Sequence, residues 1–443
     1  MATERPALAI LILAAGQGTR MKSARPKVLH ELCGRPLFAY PLEAARSLGP
    51  ERLLAVVGHG ADAVRERFAE EVEFVLQAEQ RGTGHAVQEC RSSLQDFRGD
   101  VLVLYGDTPL LSAETLERMR SHRRASGADL VLLSAEVDVP GIVIRDESGA
   151  VARIVEATDA TPDELRIPER NTGVYLLDAD LLWKLLAQVD DDNAQGEVYL
   201  TDIVELAVNE GRRVEALELE EPDEALGVNT RRELAEASRR MRDRILNRLM
   251  DGGVTIVDPG TTFVDADVKI GIDTVIEPGC VISGATRIGE GVRLRPHCTI
   301  ESSEIADRVT IGPSAHIRPG CLIGEGARIG NFVEVKNSVL GPGVKADHLS
   351  YIGDADVGAG ASFGCGSIVV NYDGISKHRT RVGERAFVGC NVNLVAPVEV
   401  EADAFVAAGS TITKDVSEQA LAVARARQRN IEGWVAKRNQ KRD

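Results

Sequence analysis

The second half of the chain carries a repeat of six residues. Over long stretches between Val264 and Ile412, a large aliphatic residue recurs at every sixth position. This period fits neither an amphipathic helix nor an isolated strand. It is typical of a solenoid of short strands and tight turns, in which each hexad contributes one inward aliphatic side chain. Glycine directly follows many of these residues, as in Ile270-Gly271 and Ile323-Gly324, and suits the turns. The repeat therefore predicts a parallel β-helix.

Interruptions of the repeat are the informative places within it, since insertions into solenoids map to loops that often serve binding. The repeat slips by one residue or breaks between the following aliphatic pairs: Ile300 and Ile305, Val335 and Leu340, Ile352 and Val357, and Val369 and Val382. The last interruption contains the turn-rich stretch Asn371-Tyr372-Asp373-Gly374 and then Lys377. Ala346 stands where a large aliphatic residue is expected, which would leave room beside His348.

Length and composition limit the classes of protein to consider. A chain of 443 residues with 27% charged and 44% hydrophobic residues suggests two or three globular domains. The formal net charge of -16 disfavours binding to nucleic acid or to anionic membranes, and no apolar stretch is long enough to cross a bilayer. The seven cysteines form no CxxC pair and are typical of a reducing compartment, without a zinc site. We expect a cytoplasmic protein with no nucleic-acid partner and no membrane insertion.

In the first half, apolar strand candidates alternate with helix candidates. The strands are Ala7–Ala14, Leu53–Val57 and Val101–Tyr105, and the helices are Pro41–Leu48 and Ala113–Ser121. This alternation predicts an α/β domain with a mainly parallel, Rossmann-like sheet that binds ligands at the carboxyl ends of its strands. Gly16 and Gly18 follow the first strand, where backbone N–H groups can approach phosphates. The glycines match neither a P-loop nor GxGxxG, so on glycines alone a plain strand-to-helix turn fits as well as a nucleotide loop.

A wider set of segments resembles the sugar-nucleotide pyrophosphorylases. The string Leu13-Ala14-Ala15-Gly16-Gln17-Gly18-Thr19-Arg20-Met21, followed by Pro26-Lys27, carries the resemblance. Further matches are Gln77-Ala78-Glu79-Gln80-Arg81-Gly82-Thr83-Gly84-His85, Tyr105-Gly106-Asp107, Ile154-Val155-Glu156, Asn171-Thr172-Gly173, Tyr199-Leu200-Thr201-Asp202 and Val228-Asn229. Joined to the hexad repeat, they make the whole chain similar to the bacterial bifunctional N-acetylglucosamine-1-phosphate uridylyltransferase / glucosamine-1-phosphate N-acetyltransferase family.

The resemblance implies three parts. These are a nucleotidyltransferase domain over residues 1–229, a linker helix over 230–250, and a left-handed β-helix acetyltransferase domain with a C-terminal tail over 251–443. Thr230 suits the cap of the linker helix, with Glu233 completing a capping box. The family's reactions are N-acetylation of glucosamine 1-phosphate by acetyl-CoA, and Mg²⁺-dependent uridylyl transfer from UTP to N-acetylglucosamine 1-phosphate. A homotrimer is also implied.

Nucleotidyl transfer requires neutralisation of phosphate charge and in-line positioning. Lys27 and Arg20 would offset that charge, and Asp107, at the end of an apolar strand, suits Mg²⁺. By resemblance, Asn229 is the second metal ligand. The nucleotide residues implied by the resemblance are Leu13, Ala14, Gly16, Lys27, Gln77, Gly82 and Thr83. The sugar-phosphate residues implied are Tyr105, Gly141, Glu156, Asn171 and Asn229. His85, His30 and His59 have no implied role.

Acetyl transfer from a thioester to a sugar amine requires a base, for which histidine suits, and cations for the sugar phosphate. By resemblance His348 is the base. The residues implied for glucosamine 1-phosphate are Arg318, Lys336, Tyr351, Asn371 and Lys377. Those implied for acetyl-CoA are Asn371, Tyr372, Cys390, Ala408 and Arg425.

One departure from the family concerns sugar binding. Pro140-Gly141-Ile142-Val143 stands where the family has Gly-Tyr-Gly-Arg-Ile, so Ile142 replaces an arginine. We expect a sugar loop that still accepts N-acetylglucosamine 1-phosphate, but more weakly. Two other interpretations stay open: a single-activity sugar-1-phosphate nucleotidyltransferase with altered sugar specificity, and a solenoid scaffold with vestigial sites.

Overall fold

A computed structural model describes residues 6–439 of the chain. The chain forms two compact units that divide between Met241 and Arg242. Within the described range, no helix combines the length and the apolar character needed to cross a membrane.

The first unit alternates strands and helices. Its strands are β1 (Leu8–Ala14), β2 (Glu31–Leu32), β3 (Arg35–Pro36), β4 (Arg52–Val57), β5 (Glu73–Leu76), β6 (Asp100–Tyr105), β7 (Leu130–Glu136), β8 (Gly141–Arg145), β9 (Val151–Glu156), β10 (Glu169–Asp178) and β11 (Val214–Glu218). Its helices are α1 (Ala39–Ser47), α2 (Ala61–Phe68), α3 (Thr83–Gln88), α4 (Ala113–Ser126), α5 (Ala179–Leu186) and α6 (Asp202–Asn209). Short 3-10 helices cover Thr19–Met21, Lys27–Leu29, Glu164–Arg166 and Pro222–Ala225.

One mixed sheet holds the first unit together, in the order β11-β7-β10-β6-β1-β4-β5. Strand β1 is parallel to both β4 and β6, and all seven of its residues are buried, as expected for a central strand covered on both faces. Strand β10 runs antiparallel to its neighbours β6 and β7, so the sheet is less uniformly parallel than the sequence predicts. The three predicted strands are confirmed to within one residue. Helix α4 extends past the predicted Ser121 because no breaker occurs before Gly127.

Helix α7 (Arg231–Asp251) crosses the division between the units. Its capping box is present: Glu233 N donates to Thr230 Oγ1 at 3.2 Å, and Thr230 N donates to Glu233 Oε2 at 2.8 Å. Ala237, in the N-terminal half of the helix, packs with Leu32 and Leu37 of the β2–β3 hairpin. The first half of this helix therefore belongs to the core of the first unit.

The second unit is a parallel β-helix with three faces. The strands of face one are Thr255–Ile256, Val275–Ile276, Arg293–Leu294, Thr310–Ile311, Arg328–Asn331, Lys345–His348, Ser362–Phe363, Phe387–Val388, Phe405–Val406 and Leu421–Ala422. Those of face two are Phe263–Val264, Val281–Ser283, Thr299–Glu301, His316–Ile317, Glu334–Lys336, Tyr351–Gly353, Ile368–Val370, Asn393–Val395 and Thr411–Ile412. Those of face three are Lys269–Ile270, Arg287–Ile288, Glu304–Ile305, Leu322–Ile323, Val339–Leu340, Ala355–Val357, Thr380–Val382 and Val398–Val400. A 3-10 helix (Pro259–Thr261) precedes face two, and α8 (Trp434–Asn439) follows the last coil.

The inward residues predicted from the hexad repeat form the core of this unit. All of them are buried except Ile270, which is half-buried. They stack in register from coil to coil, as in the column Ile282, Ile300 and Ile317 on face two. The repeat thus supplies one core side chain per face per coil.

All four interruptions of the repeat lie at the same corner of the three-faced β-helix, between a face-two strand and the next face-three strand. We call this the variable corner; it comprises residues 301–304, 336–339, 353–356 and 370–381 in the interrupted coils. From Val264 to Ile412, the other two corners keep the six-residue spacing in every coil. The variation in coil length is therefore confined to one edge.

Candidate active sites

A cavity of about 490 Å³ opens beside the carboxyl ends of β1 and β6 in the first unit. Its volume suits a small-molecule ligand of nucleotide size. The predicted residues that line it are Leu13, Ala14, Gly16, Lys27, Gln77, Gly82, Thr83, Tyr105, Asp107 and Asn229. Lining residues that the sequence did not single out are Ala15, Gln17, Val28, Gln80, Ala86 and Glu197.

One cation position lies inside this cavity. Lys27 Nζ forms an ion pair with the Asp107 carboxylate and donates to Asn229 Oδ1 at 2.8 Å. Asp107 follows β6 and Asn229 precedes α7, so the fold brings two side-chain oxygens together from distant parts of the chain. Two protein oxygens fit Mg²⁺, which usually keeps its remaining positions for phosphate and water. Within residues 6–439, no group of three or more His, Cys, Asp or Glu side chains suited to a metal occurs.

The glycine loop after β1 brings Lys27 into place. Gly18 has φ +62°, and a Cβ there would lie 2.7 Å from Cβ of Lys27. Arg20, the second predicted cation, is exposed and does not line the cavity. Met21 beside it is buried, so the short 3-10 helix directs Arg20 to solvent. The structure therefore brings Lys27 to the site but not Arg20.

The residues predicted for the sugar lie on β8, β9 and β10. Gly141 pairs with Glu156, and Ile142 pairs with Arg170, the residue before Asn171. Asn171 is buried; its Nδ2 donates to the Tyr175 hydroxyl at 2.6 Å. Burial, together with the carboxylates of Asp202 and Asp159, raises the pKa of Glu156. Gly141, Glu156 and Asn171 thus lie on adjacent strands of the sheet, although none of them lines the nucleotide cavity itself.

Tyr105 lies between these two groups of residues. It lines the nucleotide cavity, and burial, with the carboxylates of Glu156 and Asp107, raises the pKa of its phenol. Gly173 supports the ring: it has φ +81°, and a Cβ there would lie 2.0 Å from Cε2 of Tyr105. The sequence contains this glycine within a matching motif, but a close approach to a ring on another strand cannot be read from the motif.

Residues 140–143 differ from the expected sugar loop. Gly141 to Arg145 form strand β8, and Ile142 is completely buried. A residue at position 142 therefore faces the protein interior, and it does not offer a place for a charge that orients an open loop. Because a buried cation without a partner is costly, we expect an arginine here to disturb the strand. The weaker sugar binding expected from the sequence stays a prediction.

In the second unit, three of the five residues predicted for glucosamine 1-phosphate lie at the variable corner: Lys336, Asn371 and Lys377. Asp354 accepts hydrogen bonds there: Asn337 Nδ2 donates to it at 2.6 Å, Asn371 Nδ2 also donates to it, and Lys336 Nζ lies 3.9 Å away. The neighbouring Lys377 and, to a smaller extent, burial lower the pKa of Lys336, whereas the carboxylate of Asp354 acts in the opposite direction.

The remaining two predicted residues are Tyr351, which begins a face-two strand, and Arg318, which directly follows another. Tyr351 lies beside Asn371, whose Nδ2 is 3.4 Å from the phenol oxygen. Arg318 Nη1 donates to Glu334 Oε1 at 2.9 Å. Asp354 was not anticipated; the signal for it was an acid at one of the shortened turns of the repeat.

His348 ends a face-one strand and is exposed, three residues before Tyr351. Ala346 is fully buried and pairs with Phe363 in the next coil. The small side chain is thus stacked beside a phenylalanine in the core. The space expected beside His348 stays a prediction.

Three of the five residues predicted for acetyl-CoA, Cys390, Ala408 and Arg425, form a column at the corner between faces one and two. Gly409 N donates to Cys390 O at 2.8 Å, and Arg425 Nη1 donates to Ala408 O at 2.7 Å. Tyr372 instead lies in the 370–381 excursion, where its hydroxyl donates to Gly374 O. Within the part of the chain that the structure describes, no hydrogen bond joins His348 or this column to the Asp354 group. The two sets flank opposite ends of the face-two strands.

Comparisons with known proteins agree with this arrangement. Residues 10–198 match the MobA-like NTP transferase domain, and residues 267–302 and 302–337 match the bacterial transferase hexapeptide of six repeats. The chain is 47% identical to "Bifunctional protein GlmU" of Trichlorobacter lovleyi over 452 residues, covering 97% of this chain and 98% of that protein. It is 48% identical to the protein of the same name from Geobacillus thermodenitrificans over 444 residues, covering 96% and 97%. With a nucleotidyltransferase unit and a left-handed parallel β-helix of hexapeptide repeats, the chain belongs to the bifunctional GlmU family.

Proposed function

We propose that this chain acetylates glucosamine 1-phosphate with acetyl-CoA and then transfers uridylate from UTP to the N-acetylglucosamine 1-phosphate so formed, with release of pyrophosphate. The observation that carries the proposal is the presence of two separate charged centres. One is Lys27 with Asp107 and Asn229 in the first unit. The other is Asp354 with Lys336 and its neighbours in the second. We assign residues 1–229 to uridylyl transfer, 230–250 to the linker and 251–443 to acetyl transfer.

In the uridylyl site, Asp107 and Asn229 would hold Mg²⁺, which supplies charge neutralisation for the triphosphate when bound. The Lys27 ammonium, already beside these oxygens, would bind phosphate oxygens and stabilise the negative charge of the transition state. Arg20, which is exposed, would be a second cation for the triphosphate. The glycine loop and the residues Gln77, Gly82 and Thr83 would bind the nucleoside. Tyr105, Gly141, Glu156 and Asn171 would bind the sugar phosphate.

In the acetyl site, Arg318, Lys336 and Lys377 would bind the phosphate of glucosamine 1-phosphate, because converging cations suit a dianion. Tyr351 and Asn371 would bind the sugar hydroxyls. His348 would take the proton of the attacking amine, a task that suits an imidazole near neutral pH. The column of Cys390, Ala408 and Arg425, with Asn371 and Tyr372, would bind acetyl-CoA.

We further propose that three copies assemble and that the acetyl site forms between them. Support comes from the separation of His348 and the Cys390 column from the Asp354 group within one chain. A row of exposed apolar residues on face one, with Phe387 and Phe405 stacked at 4.6 Å, offers a surface for packing. The seven free thiols and the two co-substrates favour the cytoplasm as the site of action.

The test is mass spectrometry of the products formed from glucosamine 1-phosphate, acetyl-CoA, UTP and Mg²⁺. Sequential formation of the N-acetyl sugar phosphate and the UDP-sugar is expected. His348→Ala should abolish the first step and leave uridylyl transfer from supplied N-acetylglucosamine 1-phosphate near normal, while Asp107→Ala should do the reverse. Formation of only one product by the parent would identify a single-activity enzyme, and absence of both would favour the scaffold interpretation.

A further inference from the structure

The side-chain amide of Gln77 is held in one orientation at the wall of the nucleotide cavity. Its Nε2 lies 3.0 Å from Gly82 O and 3.1 Å from His85 Nδ1. A backbone carbonyl can only accept, so the nitrogen of the amide, and not its oxygen, must face Gly82. Both N–H groups are then used. Among residues 6–439 no donor reaches Gln77 Oε1, so Gln77 offers the cavity an acceptor.

This arrangement also fixes the tautomer of His85. Because Nδ1 accepts from Gln77, it carries no hydrogen, and the ring proton resides on Nε2. Nε2 lies 3.0 Å from Oε1 of Glu89, which accepts that proton's hydrogen bond. The donors therefore run in one direction, from Gln77 to His85 and from His85 to Glu89. Neither His85 nor Glu89 lines the cavity, so both act through Gln77.

The position of Gln77 indicates which part of a nucleotide meets this acceptor. Gln77 follows β5, and β5 is separated from β6 by two intervening strands. Three strand spacings correspond to about 14 Å. The triphosphate charge is expected at the cation position next to β6, so Gln77 lies on the side of the nucleoside. An acceptor there suits the N3–H donor of uracil and opposes cytosine, whose N3 is itself an acceptor.

We propose that His85 and Glu89 are positioning residues that fix the Gln77 amide and thereby make the site select UTP over CTP. The proposal rests on the uridylyl transfer proposed above. It assigns a role to His85, for which sequence reasoning predicted none. The selectivity arises from the direction of two consecutive hydrogen bonds, from Gln77 to His85 and from His85 to Glu89, and reversing either of them should alter it.

The experiment measures kcat/KM for UTP and for CTP in the parent and in three variants. His85→Leu removes the acceptor for Gln77 and should lower the UTP preference about tenfold, as expected for one lost hydrogen bond. His85→Asn should keep the preference, because Asn Oδ1 accepts at the place of Nδ1. Glu89→Lys should lower the preference like His85→Leu, because an ammonium donates to Nε2 and moves the ring proton to Nδ1, opposite the amide nitrogen. The KM for N-acetylglucosamine 1-phosphate should stay unchanged in all three.

Two outcomes overturn the proposal while leaving uridylyl transfer intact. One is a UTP preference within twofold of the parent in both His85→Leu and Glu89→Lys. The other is an equal loss in His85→Asn and His85→Leu, which would show that the ring shape matters and the acceptor does not. Glu89 is partly exposed, so its substitution tests the idea without disturbing the core. A parent that forms no UDP-sugar would overturn the proposed function and this proposal together.

Discussion

Asp354 is the acceptor around which the candidate acetyl site is assembled, and its replacement by asparagine tests that role. The side chain is 11% exposed, accepts from the amides of Asn337 and Asn371, and lies 3.9 Å from Lys336 Nζ. Its backbone has φ +50°, a conformation that asparagine also adopts readily. Asp354→Asn therefore preserves shape and backbone, but removes the charge and places an amide donor opposite one of the two amides.

The cost follows from these contacts. A hydrogen bond to a charged group contributes about 1.5–3 kcal/mol, and one of the two amide bonds is lost outright. The hydrogen bond from the other amide is weakened because its acceptor is no longer charged, and Lys336 loses its counter-ion. We expect a total of about 2–3 kcal/mol, felt mainly where Lys336 and Asn371 meet the sugar phosphate. The KM for glucosamine 1-phosphate should rise roughly thirtyfold to a hundredfold, with a smaller change in kcat.

Steady-state acetyl transfer, measured from pH 7 to pH 9, gives a second readout. Asp354 raises the pKa of Lys336, so its removal lowers that pKa further, and the ammonium is lost at a lower pH. KM should therefore rise more steeply with pH in Asp354→Asn than in the parent. Uridylyl transfer, in the other unit, serves as the control. A KM within twofold of the parent at every pH would refute the reasoning.

Three further predictions concern the first unit. Gly173→Ala should destabilise it by about 2–4 kcal/mol through overlap with the Tyr105 ring and an unfavourable backbone conformation, and an unchanged melting temperature would contradict the close approach. Ile142→Arg should lower the melting temperature sharply and raise the KM for the sugar phosphate, because it buries an unpaired cation; improved sugar binding would show that position 142 opens to solvent. Burial and the carboxylate of Asp190 raise the pKa of Asp202 to about 6, so folding favours its protonated form and stability falls as pH rises from about 4 to 6. Asp202→Asn should therefore raise the melting temperature at pH 7.5 and give a smaller gain at pH 5, and a gain of equal size at both would show that the carboxyl titrates normally.

Periodicity predicted the solenoid because each inward side chain is needed for the core, and such a constraint repeats visibly along the chain. The α/β alternation predicted the sheet because its buried apolar strands also recur visibly along the chain. It did not predict the antiparallel β10, since strand direction depends on how the chain returns to the sheet. Ile142 shows a second limit: a motif assigns a residue type to a position, but burial depends on the strands that pack around it.

Some residues of the candidate sites are predictable from the sequence, and others depend on contacts that only the fold creates. Asp107 follows from its chemistry and from its place after β6, and Lys27 follows from its charge within a matching motif. Their convergence with Asn229 on one point depends on the fold. Gly173 supports a ring on another strand, and the role proposed for His85 acts through Gln77, so neither charge nor spacing distinguishes them in a linear sequence. For Asp354 the only signal was an acid at a shortened turn of the repeat. Their roles become visible only when their partners are in place.

Every irregular spacing of the repeat lies at the variable corner, so one edge of the β-helix varies in length from coil to coil while the other two edges stay constant. A coil that lengthens or shortens at this edge still returns to the same position on all three faces, so the stacked core is not disturbed. Lys336, Asp354, Asn371 and Lys377 all lie along this edge. Insertions at this edge can add functional side chains, while the constant spacing at the other two edges keeps the geometry of the solenoid. The segment 370–381 is thus the natural place to exchange one substrate loop for another without redesigning the scaffold.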